Sequence, residues 1–330
     1  MEVKLQTARN LVGRLRGAAA AHDGAATAVA IAEIRHVSKE DPDIRALLAD
    51  AGAVPFLAAQ LTSPSAASED AAAALLNISI SAPREQLMSV PGLLDALTAA
   101  LRSGAAAHHA AATVCSLLCV EANRAAIGAR RPLLAALVSL VRAAPRPSTR
   151  ATKDALKALF AAALHPPNRA VLVGLGVVQA LFALVMNDGR AGIVEDATAV
   201  VAQVAGCEES LDVFVRMSGL RILVDLLDHG GGASPRTREN AAAALLNLVV
   251  AGGERAVAEV IAVGGAEDAV RELAEDVTAS ARGKAKAEAL LRALDCGGAR
   301  RREHRLVDFL NGLVQSDPYI SSPASASTHG

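Results

Sequence analysis

Residues 69–80 read EDAAAALLNISI and residues 239–250 read ENAAAALLNLVV, so the same apolar frame and the same asparagine return 170 residues later. In both, apolar residues recur at helical spacing behind a charged start, the pattern of a helix with one wide buried face. Divided by four, the interval gives a period of about 42, and the frame should then recur near 111, 154 and 196. It does: HHAAATVCSLLC starts at His108, KDALKALFAAAL at Lys153 and EDATAVVAQVAG at Glu195. Weaker copies flank the set, TAVAIAEIRHVS from Thr27 and KAKAEALLRALD from Lys284. The seven starts lie 42, 39, 45, 42, 44 and 45 residues apart.

Between these frames the punctuation also repeats. A short helix ends near Gly and a Leu-rich helix follows at once, as in AGAVPFLAAQLTS, VPGLLDALTAALRS, GLGVVQALFALVMN and SGLRILVDLLDHG. Gly suits the left-handed position that closes a helix, so each period holds three helices. The loops SPSAAS, APRPSTR and GGGASPRTR fall between the second helix and the third, where Pro and Gly end helical hydrogen bonding. A unit of this size cannot bury its apolar stripes alone, so neighbours must stack into one continuous core.

Composition agrees. The 330 residues are 52% hydrophobic, too apolar for a disordered chain, while only 2% are aromatic and none is Trp. Ala and Leu dominate, which favours close-packed helices over strands. Lys and Arg number 33 against 34 Asp and Glu, so a net charge of −1 leaves no footprint for nucleic acid. Cys115, Cys119, Cys207 and Cys296 are scattered through apolar helical contexts rather than set out as a disulfide framework. A reducing compartment, the cytosol or nucleus, is therefore expected. No apolar run reaches the roughly 18–20 residues of a membrane span, and the first residues lack a secretory signal's apolar block, so a soluble protein is expected. The start MEVKLQTARNLVGRLRG is Arg-containing and nearly free of acids, as a transit peptide would be. Leu5, Val12 and Leu15 on one face favour a helix capping the stack.

The period, the three-helix punctuation and the AALLNLS-type third helices resemble armadillo repeats. DAAAALLNISI, NAAAALLNLVV, AGAVPFLAAQL and the closing GKAKAEALLRAL resemble, more narrowly, the armadillo region of plant U-box proteins over about residues 24–296. The expected architecture is all-α, a right-handed α-solenoid. Its plan is an N-terminal capping helix at 1–23, about six repeats over 24–296, a basic segment and second capping helix at 297–315, and a disordered tail at 316–330. The U-box itself, which recruits the ubiquitin-conjugating enzyme, has no counterpart in these residues.

In armadillo families an Asn late in each third helix lines the concave face and bonds the backbone of an extended peptide. The corresponding positions are Arg35, Asn77, Ser116, Ala161, Gln203, Asn247 and Arg292. Only Asn77 and Asn247 keep the family residue; Ser116 and Gln203 keep hydrogen-bonding capacity. An amide carries both a donor and an acceptor, so a row of them can read a main chain in either direction. Hydrogen bonding between adjacent repeats, with no ligand, explains the same asparagines, and the two roles are compatible. Importin-type relatives place Trp one turn earlier, at positions held here by Ala73, Ala112, Lys157, Ala199 and Ala243. Without those rings the slots for Lys or Arg stems are missing, and nuclear-import cargo recognition is not expected. Two turns before the ladder stand Glu69, His108, Lys153, Glu195, Glu239 and Lys284, a row of mixed sign that fits neither an acidic nor a basic peptide along its whole length.

Nothing in the chain assembles into a catalytic set. Cys115 and Cys119 with His108 and His109 lack a zinc knuckle and read as packing on an inner helix. DHGGGASPRTREN has neither the Lys nor the preceding strand of a phosphate loop, and reads as a flexible connection whose Ser234 and Thr237, like Ser148 elsewhere, are open to kinases. GARRREHR at 298–305 is a basic cluster suited to a nuclear signal, an acidic partner or simply solvent. The expectation is a non-catalytic scaffold with no cofactor, metal, small-molecule substrate, nucleic acid or membrane. Its protein or peptide partners would lie along Arg35, Asn77, Ser116, Lys153, Gln203, Asn247 and Arg292, and the resemblance implies ubiquitin-linked signalling. The alternative is a component, or an atypical form, of a plant ubiquitin ligase.

Overall fold

The computed structural model describes residues 2–62, 66–143 and 148–295. The basic cluster at 298–305, the second capping helix, the tail, Cys296 and the middle of two Pro-containing loops lie outside the described residues. Helix α1 (Glu2–Ala20) opens the chain and α2 (Gly24–Glu40) carries the first frame. Triplets follow: α3 (Ile44–Asp50), α4 (Ala53–Ala59) and α5 (Ala66–Ser81); then α6 (Arg84–Met88), α7 (Leu93–Leu101) and α8 (Ala107–Leu118). The third holds α9 (Glu121–Gly128), α10 (Arg131–Arg142) and α11 (Thr149–Ala163), the fourth α12 (Pro166–Gly174), α13 (Val177–Asn187) and α14 (Ala191–Val204). α15 (Ser210–Arg216), α16 (Gly219–Asp225) and the first half of α17 (Pro235–Ala262) form the fifth. The second half of α17, α18 (Ala266–Glu275) and α19 (281–295) form the last. No strand occurs among the described residues.

Third helices pack in series, α2 on α5, α5 on α8, and so on to α17, while α4, α7, α10 and α13 stack as a parallel layer behind them. Small side chains make the first layer possible. Ala71, Ala72, Ala74, Leu75 and Ile78 of α5 and Ala241, Ala242, Ala244 and Leu245 of α17 are all buried, so the backbones approach closely. The second helices supply volume: Leu97 and Leu101 of α7 are fully enclosed, each worth roughly 2–3 kcal/mol of burial. Phe214 meets Phe182 edge-on, with centroids 5.3 Å apart, between the fourth and fifth triplets. At the N-terminal end α1 packs on α2, α3 and α4 through Ala8, Leu11, Val12 and Leu15. Lys4 also binds Asp41 and Asp43, both at 2.8 Å. Leu5 is only half-buried.

Except in the third triplet, where Ala129 and Arg130 keep negative φ, the turn from first to second helix uses a left-handed residue: Gly52, Gly92, Gly176 and Gly265 have φ of 89°, 76°, 78° and 75°. In the fifth triplet Ser218 occupies it with φ 55°. A side chain there costs about 1–2 kcal/mol, partly returned by the lower entropy of a non-glycine unfolded chain. Ser218→Gly is therefore expected to stabilise the protein by up to about 1 kcal/mol in urea unfolding.

α17 needs one qualification to the sequence reading. It is 28 residues and apolar enough, by length and composition, to cross a membrane. However, Gly253, at φ 56° and ψ −141°, breaks it into the third helix of one triplet and the first of the next. That region of backbone space belongs almost entirely to Gly. α17 packs against α14, α15, α16 and α18, the placement of core helices.

Candidate protein-binding groove

Because the third helices stack side by side, their exposed stripes form one surface. Along α8, α11, α14, α17 and α19 it is a groove of about 1220 Å³. Ala161, Ala199, Ala202 and Ala243 floor it with little relief, and Leu118, Phe160, Leu164 and Leu246 add apolar surface. Its polar lining includes Arg124, Lys157, Asp196, Gln203, Arg236, Glu239, Asn240, Asn247, Arg282 and Lys286.

Of the residues singled out in the sequence, the groove gathers Gln203 and Asn247. Asn247 Nδ2 donates to the Ala202 carbonyl at 2.8 Å, one repeat back. Asn77 Nδ2 donates to Ser38 Oγ at 3.1 Å, also one repeat back. Each thus ties neighbours together, and neither side-chain oxygen has a partner among the described residues. Asn247→Ala should cost about 1 kcal/mol in urea unfolding through the lost bond. Ser116 donates to the Ser79 carbonyl at 2.8 Å and accepts from Arg84 Nε at 3.1 Å. Arg35 is engaged with Asp70. Lys153 ends beside Gly192, and Arg292 is exposed on α19; Arg35, Asn77, Ser116, Lys153 and Arg292 lie outside this groove's lining.

The first helices contribute a set of contacts that the sequence reading passed over. Asn123 and Asn168 are buried and donate to the carbonyls of Leu117 and Ala162 at 2.9 and 3.0 Å. The next residues, Arg124 and Arg169, donate to Leu118 and Ala163 at 3.2 and 2.9 Å, and Arg45 donates to Ser38 at 2.6 Å. Cations thereby satisfy carbonyls at the ends of third helices and complement their dipoles. The signal was present as the dipeptide Asn-Arg at 123–124 and again at 168–169. Asn240 was also missed: it follows Glu239 and donates to the Glu195 carbonyl at 3.0 Å and to Thr198 Oγ1 at 3.2 Å.

Three local expectations change. The Gly-rich connection is ordered as a 3₁₀ turn at His229–Gly231. Ser234 and Ser148 cap α17 and α11, and Thr237 is buried, so this threonine is not an open hydroxyl. Cys115 does pack against the core, but Cys119, the C-cap residue just past α8, is exposed. Burial pushes the Cys115 thiol up to about 11. Iodoacetamide at neutral pH should therefore label Cys119 well before Cys115, as read by peptide mass mapping. No group of three metal-ligating side chains occurs among the described residues.

Charge in the groove is paired unevenly. Glu239 lies 3.1 Å from Lys286 and 3.6 Å from Arg282, and accepts from Ser280 at 2.7 Å. Burial pushes its carboxyl up, but Ser280 and Lys286 outweigh this and hold it below its ordinary value. Glu195 accepts from Ser234 at 2.6 Å.

A family model described as the plant U-box protein ARM repeat region matches residues 10–296. The chain belongs to this plant U-box ARM-repeat family. U-box domain-containing protein 16 of Arabidopsis thaliana is 33% identical over 296 residues, covering 88% of this chain and 42% of that protein. U-box domain-containing protein 4 of Oryza sativa subsp. japonica is 30% identical over 289 residues, covering 86% and 38%. The chain thus spans about two fifths of these relatives. Among solved structures, an engineered protein aligns with TM-score 0.72 at 21% identity, covering 87% of this chain and 68% of that one. A designed armadillo repeat protein in complex with the peptide (KR)4 aligns with TM-score 0.51 at 20% identity, covering 87% and 98%. The fold of this ARM-repeat protein is accordingly an all-α, right-handed solenoid of armadillo repeats, an architecture of the protein-interaction scaffold type.

Proposed function

We propose that this ARM-repeat protein binds an extended segment or a helix of a partner protein in its concave groove, as an adaptor in ubiquitin-linked signalling. The observation that carries this reading is the open groove of about 1220 Å³ built from successive third helices, with Gln203 and Asn247 presenting amides above an alanine floor. Free amide oxygens there can accept from a partner's main chain while Nδ2 of Asn247 keeps its bond to Ala202. The ladder continues toward the N-terminus through Arg35, Asn77, Ser116 and Lys153, and ends at Arg292. A likeness in fold to a designed protein holding (KR)4 supports peptide binding in general terms. The setting we assign is the cytosol or nucleus, where its free thiols stay reduced.

The test compares partners captured by the wild-type chain with those captured by an Asn77→Ala, Asn247→Ala, Lys153→Ala variant. A set of proteins lost with the variant, at matched folding by circular dichroism, supports the groove. An unchanged set moves binding to the loops or the convex face. A second reading follows from the relatives' U-box names: the chain acts as the substrate-holding part of a ubiquitin ligase. Ubiquitin transfer to a captured partner, abolished by the same groove variant, distinguishes that role from simple scaffolding.

A further inference from the structure

The part of the groove formed by the C-terminal half of the stack carries an excess of positive charge. Five cations line it, Arg124, Lys157, Arg236, Arg282 and Lys286, against two anions, Asp196 and Glu239. Pairing sharpens the difference. Glu239 is shared by Arg282 and Lys286, so one carboxylate is met by two cations. Lys157 and Arg236 are exposed and have no ion-pair partner among the described residues. Arg124 spends its Nε on the Leu118 carbonyl but keeps its charge. The row of mixed sign read from the sequence therefore hides a local excess of three positive charges, because most of these cations sit outside the register positions used for that reading.

We infer that this half of the groove takes an acidic segment of a partner protein, with its carboxylates over Lys157, Arg236 and the Arg282–Lys286 pair. The inference rests on the groove reading proposed above and names its partner chemistry. Size agrees with it. From α11 to α19 there are three helix intervals, roughly 24–30 Å at the usual interaxial distance, which an extended chain crosses in about eight residues. The alanine floor lets such a chain lie close to Gln203 and Asn247, which keep it in register while the cations set its sign. The chain's own GARRREHR segment has the wrong charge to be the occupant.

The test is fluorescence anisotropy with the full chain and labelled octaglutamate, (KR)4 and an oligothymidylate of eight nucleotides. Octaglutamate should bind about tenfold or more tightly than (KR)4, and weaken as salt is raised. Lys157→Glu with Arg236→Glu should lower octaglutamate affinity about tenfold or more, and Lys157→Ala with Arg236→Ala by less. Both pairs lie on exposed positions, and an unchanged melting temperature confirms that they fold. Binding of (KR)4 as tight as that of octaglutamate, or indifference to charge reversal, overturns the inference. So does an oligothymidylate that binds as well, since the groove would then be a general polyanion surface. If octaglutamate fails while captured partners still depend on Asn77, Asn247 and Lys153, the charge assignment falls and the groove reading stands.

Discussion

Arg238→Met is expected to loosen the last repeat while the earlier ones hold. Arg238 lies near the start of α17, almost fully enclosed at 3% exposure, and its guanidinium is ion-paired with Asp276 just past α18. Its Nε also donates to the Leu227 carbonyl at 2.9 Å, beyond the end of α16. One side chain thus fastens three elements, and Asp276 extends the clamp by accepting from the Thr278 amide at 2.8 Å and its hydroxyl at 2.7 Å. Removing the cation leaves a mostly enclosed carboxylate without its main partner, whereas replacing both ends by apolar groups is often near neutral. Solenoid stability is close to a sum of nearest-neighbour terms, so the damage stays local. Amide exchange over 266–295 should quicken by about a hundredfold or more, with α5 to α11 unchanged. Arg238→Met with Asp276→Leu should recover part of that protection. A uniform loss along the chain would contradict the local clamp. Arg238, and then Thr278, hold the Asp276 carboxyl well below the usual carboxylate range. The stabilisation is therefore full above the unfolded value of 3.8 and is lost only as pH falls through the depressed folded value.

This clamp was not legible in the sequence, and the reason is physical. Arg238 and Asp276 are 38 residues apart and belong to different triplets, so no helical periodicity links them. Periodicity did reveal the third helices, because a stacked helix must repeat small apolar residues on one face whatever its partner. Ala71 and Ala241, at corresponding positions, are buried alike for that reason. Left-handed turns were legible at Gly52, Gly92 and Gly176 through residue type, and hidden at Ser218, where the neighbouring glycine, Gly219, sits one position later in close contact with the Phe182 ring. Ladder positions fell between these cases. Register places Asn77 and Asn247 on homologous turns, yet one bonds a hydroxyl and the other a carbonyl, because the preceding repeat offers Ser38 in one case and Ala202 in the other. Groove charge escaped notice because Arg236 and Arg282 precede the quoted frames and Lys286 falls off the ladder.

His109 is expected to make the fold sensitive to mild acid, in a pH window well above that of Asp276. It sits in α8 at 8% exposure, its ring 3.8 Å from that of His108, and its Nδ1 has no hydrogen-bond partner among the described residues. Burial first, then the neighbouring charges of His108, Arg150 and Arg35, bring its pKa from 6.5 down to about 4, while Asp70 works in the opposite direction. The folded protein therefore resists a proton that the unfolded chain accepts. Stability from His109 is full above 6.5 and is lost as pH falls from there to about 4. The full shift corresponds to ~3 kcal/mol, which solvent access to part of the ring reduces to about 2 kcal/mol. His109→Leu keeps the buried volume and removes the titrating group, so between pH 6.5 and about 5 its urea midpoint should fall clearly less than that of the wild type. At pH 5 the variant should be the more stable of the two. His108→Gln removes one repelling charge and should shrink the wild-type decline without abolishing it. An acid decline in His109→Leu equal to that of the wild type would assign the sensitivity to other groups, leaving His109 a neutral core residue at every pH tested.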